Sequence, residues 1–164
     1  MASFSRILSP FSLFLLILAI STQTHLSFSS IDKPLNPTDI HQLLLRYGFP
    51  AGLLPNNVKS YTLSDDGAFE IELKADCYVM FSELVYYEKK ITGKLSYGSV
   101  TDVSGIQVKK LFLWLSVSGF KSNQGSGTIV FFVGSLSETF PADMFRTIPG
   151  CRRKACLGGR TEAM

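Results

Sequence analysis

The chain has 164 residues and a formal net charge of +3, a length that suits one domain with a hydrophobic core. The charge is unevenly distributed, since residues 30–150 hold eleven Lys and Arg against twelve Asp and Glu, and residues 151–164 hold four against one. The body is therefore almost neutral, which argues against a nucleic-acid-binding face. We expect residues 152–164 to be a basic, flexible tail.

The first 29 residues are typical of a secretory signal peptide. Arg6 precedes an apolar run from Phe11 to Ile20, about ten residues that are too few to span a bilayer but suit a signal core. Small residues permit cleavage after Ser29 or after Ser21, and a retained amphipathic anchor is the alternative. We expect a secreted, endomembrane or cell-wall protein that has no stable membrane span once the signal is removed.

Residues 35–48, LNPTDIHQLLLRYG, predict an amphipathic helix. Asn36 or Thr38 suits its start, and Gly48 suits the left-handed residue that ends a helix. Its apolar positions follow the i, i+3, i+4, i+7 spacing of one helix face. They are Ile40, Leu43, Leu44 and Tyr47.

The helix is followed by YGFPAGLLP at residues 47–55, which we expect to form a stiff elbow into the first strand. Glycine supplies positive φ and proline fixes φ near −65°. The elbow would tuck Leu53 and Leu54 into the end of a barrel.

Beyond the elbow the apolar pattern changes to a period of two. Phe69, Ile71 and Leu73 are predicted to point inward after an SDDG turn. Later strand-like segments are separated by Gly93, Gly98, Gly105 and residues 121–127, and FPADMFRTIPGC predicts a short helical turn.

The spacing of these segments predicts the fold class. Residues 110–117 (KLFLWLSV) and 128–133 (TIVFFV) are apolar on both faces of a strand. This pattern predicts strands that are buried on both faces, or on one face with the helix over the other. We therefore expect residues 30–151 to form one antiparallel β-barrel, or a barrel-like sandwich, with one N-terminal amphipathic helix.

Three cysteines enter an oxidising route if the signal peptide functions. A Cys77–Cys151 disulfide would close 73 intervening residues, for which chain entropy gives roughly 4–5 kcal/mol. Cys156 would then be unpaired, or would compete with Cys151 for Cys77. No metal site or cofactor is predicted, since one histidine and no closely spaced cysteine pair follow the leader.

The sequence offers weak candidates for catalysis. His41 is the only histidine after the leader, and we predict that it is a partly exposed helical residue. The chain has no G-x-S-x-G elbow. Glu70 and Glu72 are predicted on a solvated face, and Asp102 and Glu138 are isolated acids, so a non-enzymatic role is favoured.

Binding is better supported, because aromatic residues are concentrated in the strands. We predict that an apolar ligand enters at the elbow end beside Phe49, Leu53 and Leu54. Lys109 and Lys110 could hold an anionic head group, and the alternative is that they mark an exposed bulge. Trp114 is a further candidate. The alternative is a barrel filled by its own side chains.

Six elements occur in a fixed order: YGFPAGLLP, YTLSDDGAFEIEL, Cys77, ITGKLSYGSVTDVSGIQVKKLFLWLSV, IVFFVGSLSETFP and a final Pro-x-Cys. Over residues 37–151 the chain resembles the plant family known as domain of unknown function 538. The resemblance implies a small secreted or endomembrane protein with a mostly β, barrel-like fold. That family is likened to the lipid-binding half-domains of bactericidal/permeability-increasing proteins, and a chlorophyll-hydrolysing role is proposed for it.

These observations predict a secreted plant protein that binds an apolar or amphipathic small molecule, lipid-like or chlorophyll-like, with a Cys77–Cys151 disulfide. An esterase-like hydrolase of chlorophyll-type substrates is one alternative. A protein-interaction module in growth or trichome development is the other. The sequence does not predict an oligomeric state.

Overall fold

The computed structural model of the protein describes residues 39–152. The predicted signal peptide, the two candidate residues for the start of the helix (Asn36 and Thr38), and residues 153–164 with Cys156 lie outside the described residues. Within residues 39–152, no helix is long and apolar enough to cross a membrane.

Helix α1 spans Asp39–Arg46, and short 3-10 helices span Ala51–Leu53 and Ala142–Phe145. The strands are β1 (Val58–Leu63), β2 (Ala68–Leu73), β3 (Cys77–Met80), β4 (Leu84–Ser96), β5 (Ser99–Lys110), β6 (Leu113–Asn123), β7 (Thr128–Val133) and β8 (Leu136–Pro141).

These antiparallel strands form one sheet in the order β1-β2-β4-β5-β6-β7-β8, and β3 pairs with the part of β4 that β2 leaves free. Strands β1 and β8 lie at the two ends of this order and do not pair with each other, so the sheet is barrel-like without closing. The predicted mainly β class with one helix is confirmed.

Helix α1 buries the predicted apolar stripe against the sheet. Ile40 and Leu44 are buried in the main core, and Leu43 and Tyr47 pack against that core while half-buried. Gly48 has φ of +80°, the left-handed conformation predicted for the residue that ends the helix. The elbow that follows contains the first 3-10 helix, which carries Leu53 into the core.

Strand β2 confirms the predicted alternation. Ile71 and Leu73 are buried and Phe69 is half-buried on the inner face, while Glu70 and Lys74 are exposed. These inner side chains join those of the neighbouring strands in one hydrophobic core.

Two glycines predicted to mark turns lie inside long strands instead. A Cβ atom on Gly93 would lie 2.7 Å from the Phe69 ring, and one on Gly105 would lie 2.3 Å from the Lys90 carbonyl oxygen. Gly105 also has φ of +88°. Glycine is therefore needed for close packing and a bulge between β4 and β5, where the register shifts.

The prediction that residues 110–117 are buried on both faces is wrong. The chain turns at Leu111 and Phe112, so this segment forms the β5–β6 hairpin tip. The exposed fractions are 89% for Leu111, 93% for Phe112 and 66% for Leu113. The same prediction holds better for β7, in which Ile129 and Val133 are buried and the side chains between them are half-buried.

The C-terminal strap, residues 146–152, returns over the elbow and β3. Cys151 forms the predicted disulfide with Cys77, with a Cα–Cα distance of 5.3 Å. The backbone of Tyr78 exchanges two hydrogen bonds with that of Arg152, with N–O distances of 2.9 and 3.0 Å. The amide of Asn56 donates to the Pro149 carbonyl oxygen. The strap therefore fixes the elbow from outside the sheet.

Candidate functional site: an apolar cavity with a charged rim

A cavity of about 60 Å³ lies on the inner face of the sheet, between strands β4 to β8, the elbow and the second 3-10 helix. Most of its lining side chains are apolar. The polar groups in the lining belong to Ser82, Glu83, Glu138 and the hydroxyl of Tyr87. The lining side chains belong to Leu53, Phe81, Ser82, Glu83, Val85, Tyr87, Ile106, Val108, Val117, Phe120, Phe131, Val133, Glu138, Phe140 and Phe145.

One side of the cavity is closed by Phe145, from the second 3-10 helix. This side chain is 5% exposed and its ring centroid lies 5.0 Å from that of Phe81 and 5.4 Å from that of Phe131. Phe131 also contacts Phe140 edge-on, at 5.9 Å. Offset and edge-on ring contacts of this kind favour a defined packing. Phe145 is therefore held against the cavity by ring packing and not by the backbone hydrogen bonds that join neighbouring strands.

The rim is formed by Lys110 and two glutamates that line the cavity. The Lys110 ammonium group donates to both Glu83 and Glu138, so it links the β3–β4 turn, β5 and β8. Partial burial lowers the pKa of Lys110, but its hydrogen bonds to Glu138 and Glu83 outweigh that effect and raise the pKa above its ordinary value. With all three groups ionised, the rim carries a net charge of −1.

Tyr87 lines the cavity floor and ties it to the elbow. Its hydroxyl donates to the Leu53 carbonyl oxygen over 2.9 Å, and its side chain is buried. Burial raises the pKa of Tyr87 well above the ordinary value of 10.0. The hydroxyl is therefore neutral near pH 7 and serves as a hydrogen-bond donor to the backbone.

A second cavity of about 40 Å³ lies between helix α1 and the sheet. It shares three lining residues with the first cavity, namely Leu53, Ile106 and Phe120. Phe120 is 8% exposed and makes an edge-on contact with Phe49, with ring centroids 5.3 Å apart. These shared side chains form the partition between the two small cavities.

The structure brings some of the predicted binding residues together and separates others. Leu53 lines both cavities, Leu54 lines the second, and Lys110 lies at the rim of the first. Phe49 is buried beside the partition and lines neither cavity. A ligand-binding role for any of these residues stays a prediction.

Trp114 and Lys109 lie on the outer face of the hairpin, opposite each other in the β5–β6 register. The Trp114 ring lies 6.1 Å from the rings of both Tyr78 and Tyr86. Neither Trp114 nor Lys109 lines the first or the second cavity.

Sequence reasoning missed the two glutamates of the rim and the Phe145 wall. Glu138 was predicted to be an isolated acid, since nothing in the sequence places it beside Lys110. In β8, Glu138 and Phe140 are half-buried on the same face, while Ser137, Thr139 and Pro141 are exposed. The period-two spacing of Glu138 and Phe140 was the available signal.

Apart from Glu138, the catalytic candidates do not line the first cavity. His41 is 8% exposed, not partly exposed as predicted, and its Nδ1 donates to the Ala51 carbonyl oxygen over 2.8 Å. It lines neither cavity. Glu70 and Glu72 form ion pairs with Lys90 and Lys59 on the outer face. In residues 39–152, no group of His, Cys, Asp and Glu side chains is arranged to hold a metal ion.

Comparison with known proteins identifies the family. The chain belongs to the family described as "Protein of unknown function, DUF538", whose profile matches residues 40–146. It is similar to "Uncharacterized protein At5g01610" of Arabidopsis thaliana, with 23% identity over 107 residues that cover 63% of this chain and 61% of that protein. The chain thus spans about three fifths of that curated relative. No solved structure matches the chain.

Proposed function

We propose that the protein binds an amphipathic small molecule, with the apolar part in the first cavity and the head group at the Lys110 rim. The observation that carries the proposal is an apolar cavity, lined by strands β4 to β8, that has charged side chains only at its rim. Apolar walls with a few placed polar groups are the usual composition of small-molecule sites.

The rim favours a neutral or cationic head group over an anionic one. Lys110 already donates to Glu83 and Glu138, so an anionic head group would have to displace a carboxylate from it. A hydroxyl or ammonium group could instead donate to the carboxylates without breaking either ion pair. This revises the expected use of Lys109 and Lys110 as a site for an anionic group.

The size of the cavity limits what enters without rearrangement. An apolar cavity of about 150 Å³ is known to hold benzene, whereas the first cavity has about 60 Å³. A longer alkyl chain would therefore have to move the partition, and rotation of Phe120 would join the first cavity to the second. We propose a narrow, flexible chain as the apolar part of the ligand.

The two alternative functions have less support. The cavity lining contains Ser82 but not His41, which is the base that the esterase alternative would need. No observation on the described residues favours a specific growth-related protein partner.

The proposal is tested by isothermal titration calorimetry with decanol, decylamine and decanoate, which share one narrow chain and differ in the head group. We expect saturable binding, with decanol and decylamine bound more tightly than decanoate. Each titration is repeated on the Phe112→Ser variant, which removes an exposed apolar side chain that does not line the first cavity. Binding that disappears in Phe112→Ser would place the ligand on the surface and contradict the proposal.

Two substitutions on β7 supply a matched pair. Val133→Phe adds bulk to the cavity wall, whereas Val130→Phe adds the same bulk at the opposite parity, outside the cavity. We expect Val133→Phe to abolish binding and Val130→Phe to leave it unchanged, with both variants folded by circular dichroism. Equal binding by both variants would exclude the cavity as the site.

A further inference from the structure

One end of the sheet carries exposed apolar side chains on three adjacent hairpin turns, β3–β4, β5–β6 and β7–β8. The turns are adjacent because Lys110, at the end of β5, is bound to Glu83 in the first turn and to Glu138 near the third. We call these side chains the apolar end. They are Met80 (47% exposed), Leu111 (89%), Phe112 (93%), Leu113 (66%) and Leu136 (60%).

The opposite end of the sheet has a different composition. Its turns are formed by residues 64–67, 97–98 and 124–127, with the sequences SDDG, YG and QGSG. Tyr97, 68% exposed, is the large hydrophobic residue exposed in these turns, and its hydroxyl bonds with Gln124. Apart from Tyr97, the four most exposed large hydrophobic side chains of the described residues are thus grouped at the first end, namely Leu111, Phe112, Leu113 and Leu136. The less exposed Leu45, Met144 and Ile148 lie outside the strands.

Leu111 occupies the first position of the two-residue loop between β5 and β6. The favoured turns for such a loop need positive φ at this position, and Leu111 has φ of +53°. Glycine, asparagine and aspartate suit this conformation, whereas a bulky side chain does not, and at 89% exposure the leucine gains little from packing in the core. The use of an exposed leucine at a position that favours small or polar residues points to an external contact.

We propose that the apolar end docks onto the surface of a phospholipid bilayer. Leu111 and Phe112 would insert among the lipid chains, with Trp114 at the level of the head groups, where tryptophan is favoured. A projecting turn with side chains exposed to this extent suits a deformable lipid phase. A protein partner would need a deep groove to receive it.

The charges near the tip fit this surface. Lys109 lies beside Trp114, and within the described residues it has no ion pair. Both nearby carboxylates are bound to Lys110. Lys109 offsets the net charge of −1 at the rim, so these four groups leave the end uncharged overall, and the Lys109 ammonium group can meet a lipid phosphate. The inference does not depend on ligand binding, although the cavity rim opens at the same end.

The test uses Trp114, which is the only tryptophan of the chain. The full chain is mixed with phosphatidylcholine vesicles that carry a doxyl quencher at acyl position 5 or 12. We expect a blue shift of the Trp114 emission and stronger quenching from position 5. Vesicle binding without quenching would assign the contact to another segment, such as residues 11–20, and a blue shift without vesicles would assign it to a second copy. Either outcome, or no binding, overturns the proposal.

Three variants make the test specific. Phe112→Ser should weaken partitioning roughly tenfold, the effect of one large apolar side chain, and the control Tyr97→Ser at the opposite end should not change it. Leu111→Asn should also weaken partitioning, while the midpoint of thermal unfolding stays the same or rises because Asn tolerates positive φ. Unchanged partitioning of Phe112→Ser and Leu111→Asn would exclude the hairpin tip.

Discussion

Gly52 of the elbow and Thr147 of the C-terminal strap are in direct contact: a Cβ atom on Gly52 would lie 2.2 Å from the Thr147 carbonyl oxygen. The same atom would lie 2.5 Å from the Phe145 carbonyl oxygen. Only glycine leaves room for the strap here. In the elbow, glycine and proline therefore set the backbone conformation, and Gly52 in addition allows close packing of the elbow against the strap.

Gly52→Ala is expected to destabilise the protein by about 2–3 kcal/mol, because two backbone segments have to move apart. Urea unfolding followed by circular dichroism measures the change. Gly150→Ala is the matched control, since a Cβ atom there meets nothing within 4 Å. A Gly52→Ala variant as stable as Gly150→Ala would show that the strap does not press on the elbow.

Removal of the disulfide by Cys77→Ala with Cys151→Ala is expected to cost about 4 kcal/mol, because the unfolded chain regains the freedom of a loop of more than 70 residues. Chemical unfolding with and without reductant measures this change in wild type. The single variant Cys156→Ala serves as the control. If reductant no longer affects the stability of Cys156→Ala, Cys156 rather than Cys151 pairs with Cys77.

Lys110→Met is expected to destabilise the fold by about 1–2 kcal/mol, because Glu83 and Glu138 then face each other without a cation. Adding Glu138→Gln to Lys110→Met should recover part of the loss. The coupling is measured by a double-mutant cycle of unfolding free energies. Strictly additive losses would mean that the rim is not a coupled network.

Stability is expected to fall at alkaline pH. The pKa values of Tyr87 and Lys110 are both raised in the folded protein. The stabilisation from each group is complete below its unfolded pKa, 10.0 for Tyr and 10.5 for Lys, and is lost as pH rises through the folded pKa.

Tyr87→Phe separates the tyrosine contribution. At pH 7 the variant should be about 1–2 kcal/mol less stable, because the Leu53 carbonyl loses its donor. Above pH 10 its stability should fall less steeply than that of wild type. Unfolding curves at pH 7, 9 and 11 measure both effects, and parallel pH profiles would show that Tyr87 does not titrate on unfolding.

Local patterns in the sequence were enough to predict the helix stripe, the alternation of β2 and the mainly antiparallel β class. The end of helix α1 at Gly48 was also predictable, because a left-handed residue is a local requirement. Strand boundaries were less predictable. Gly93 and Gly105 are typical of turns by composition. Their places inside strands are explained only by tertiary packing, against the Phe69 ring of β2 for Gly93 and against the Lys90 backbone of β4 for Gly105.

The candidate site was predictable only in part. The sequence indicated Leu53, Leu54 and Lys110, but the cavity also needs Glu83, Glu138 and Phe145. These residues come from three segments of the chain. Glu83 and Glu138 lie close together because the ends of their strands are at the same end of the sheet. That relationship is set by the strand order.

The sequence by itself determined which segments are helix or strand, because those preferences depend on residues a few positions apart. Only the tertiary structure decided which apolar residues are buried. Leu111, Phe112 and Ile129 are all apolar residues in strand-like segments, yet the first two protrude at a hairpin tip and Ile129 is fully buried. Burial depends on which side chains of neighbouring strands pack against a residue. Leu111 and Phe112 lie in a turn that projects past the ends of the strands, so their side chains stay exposed.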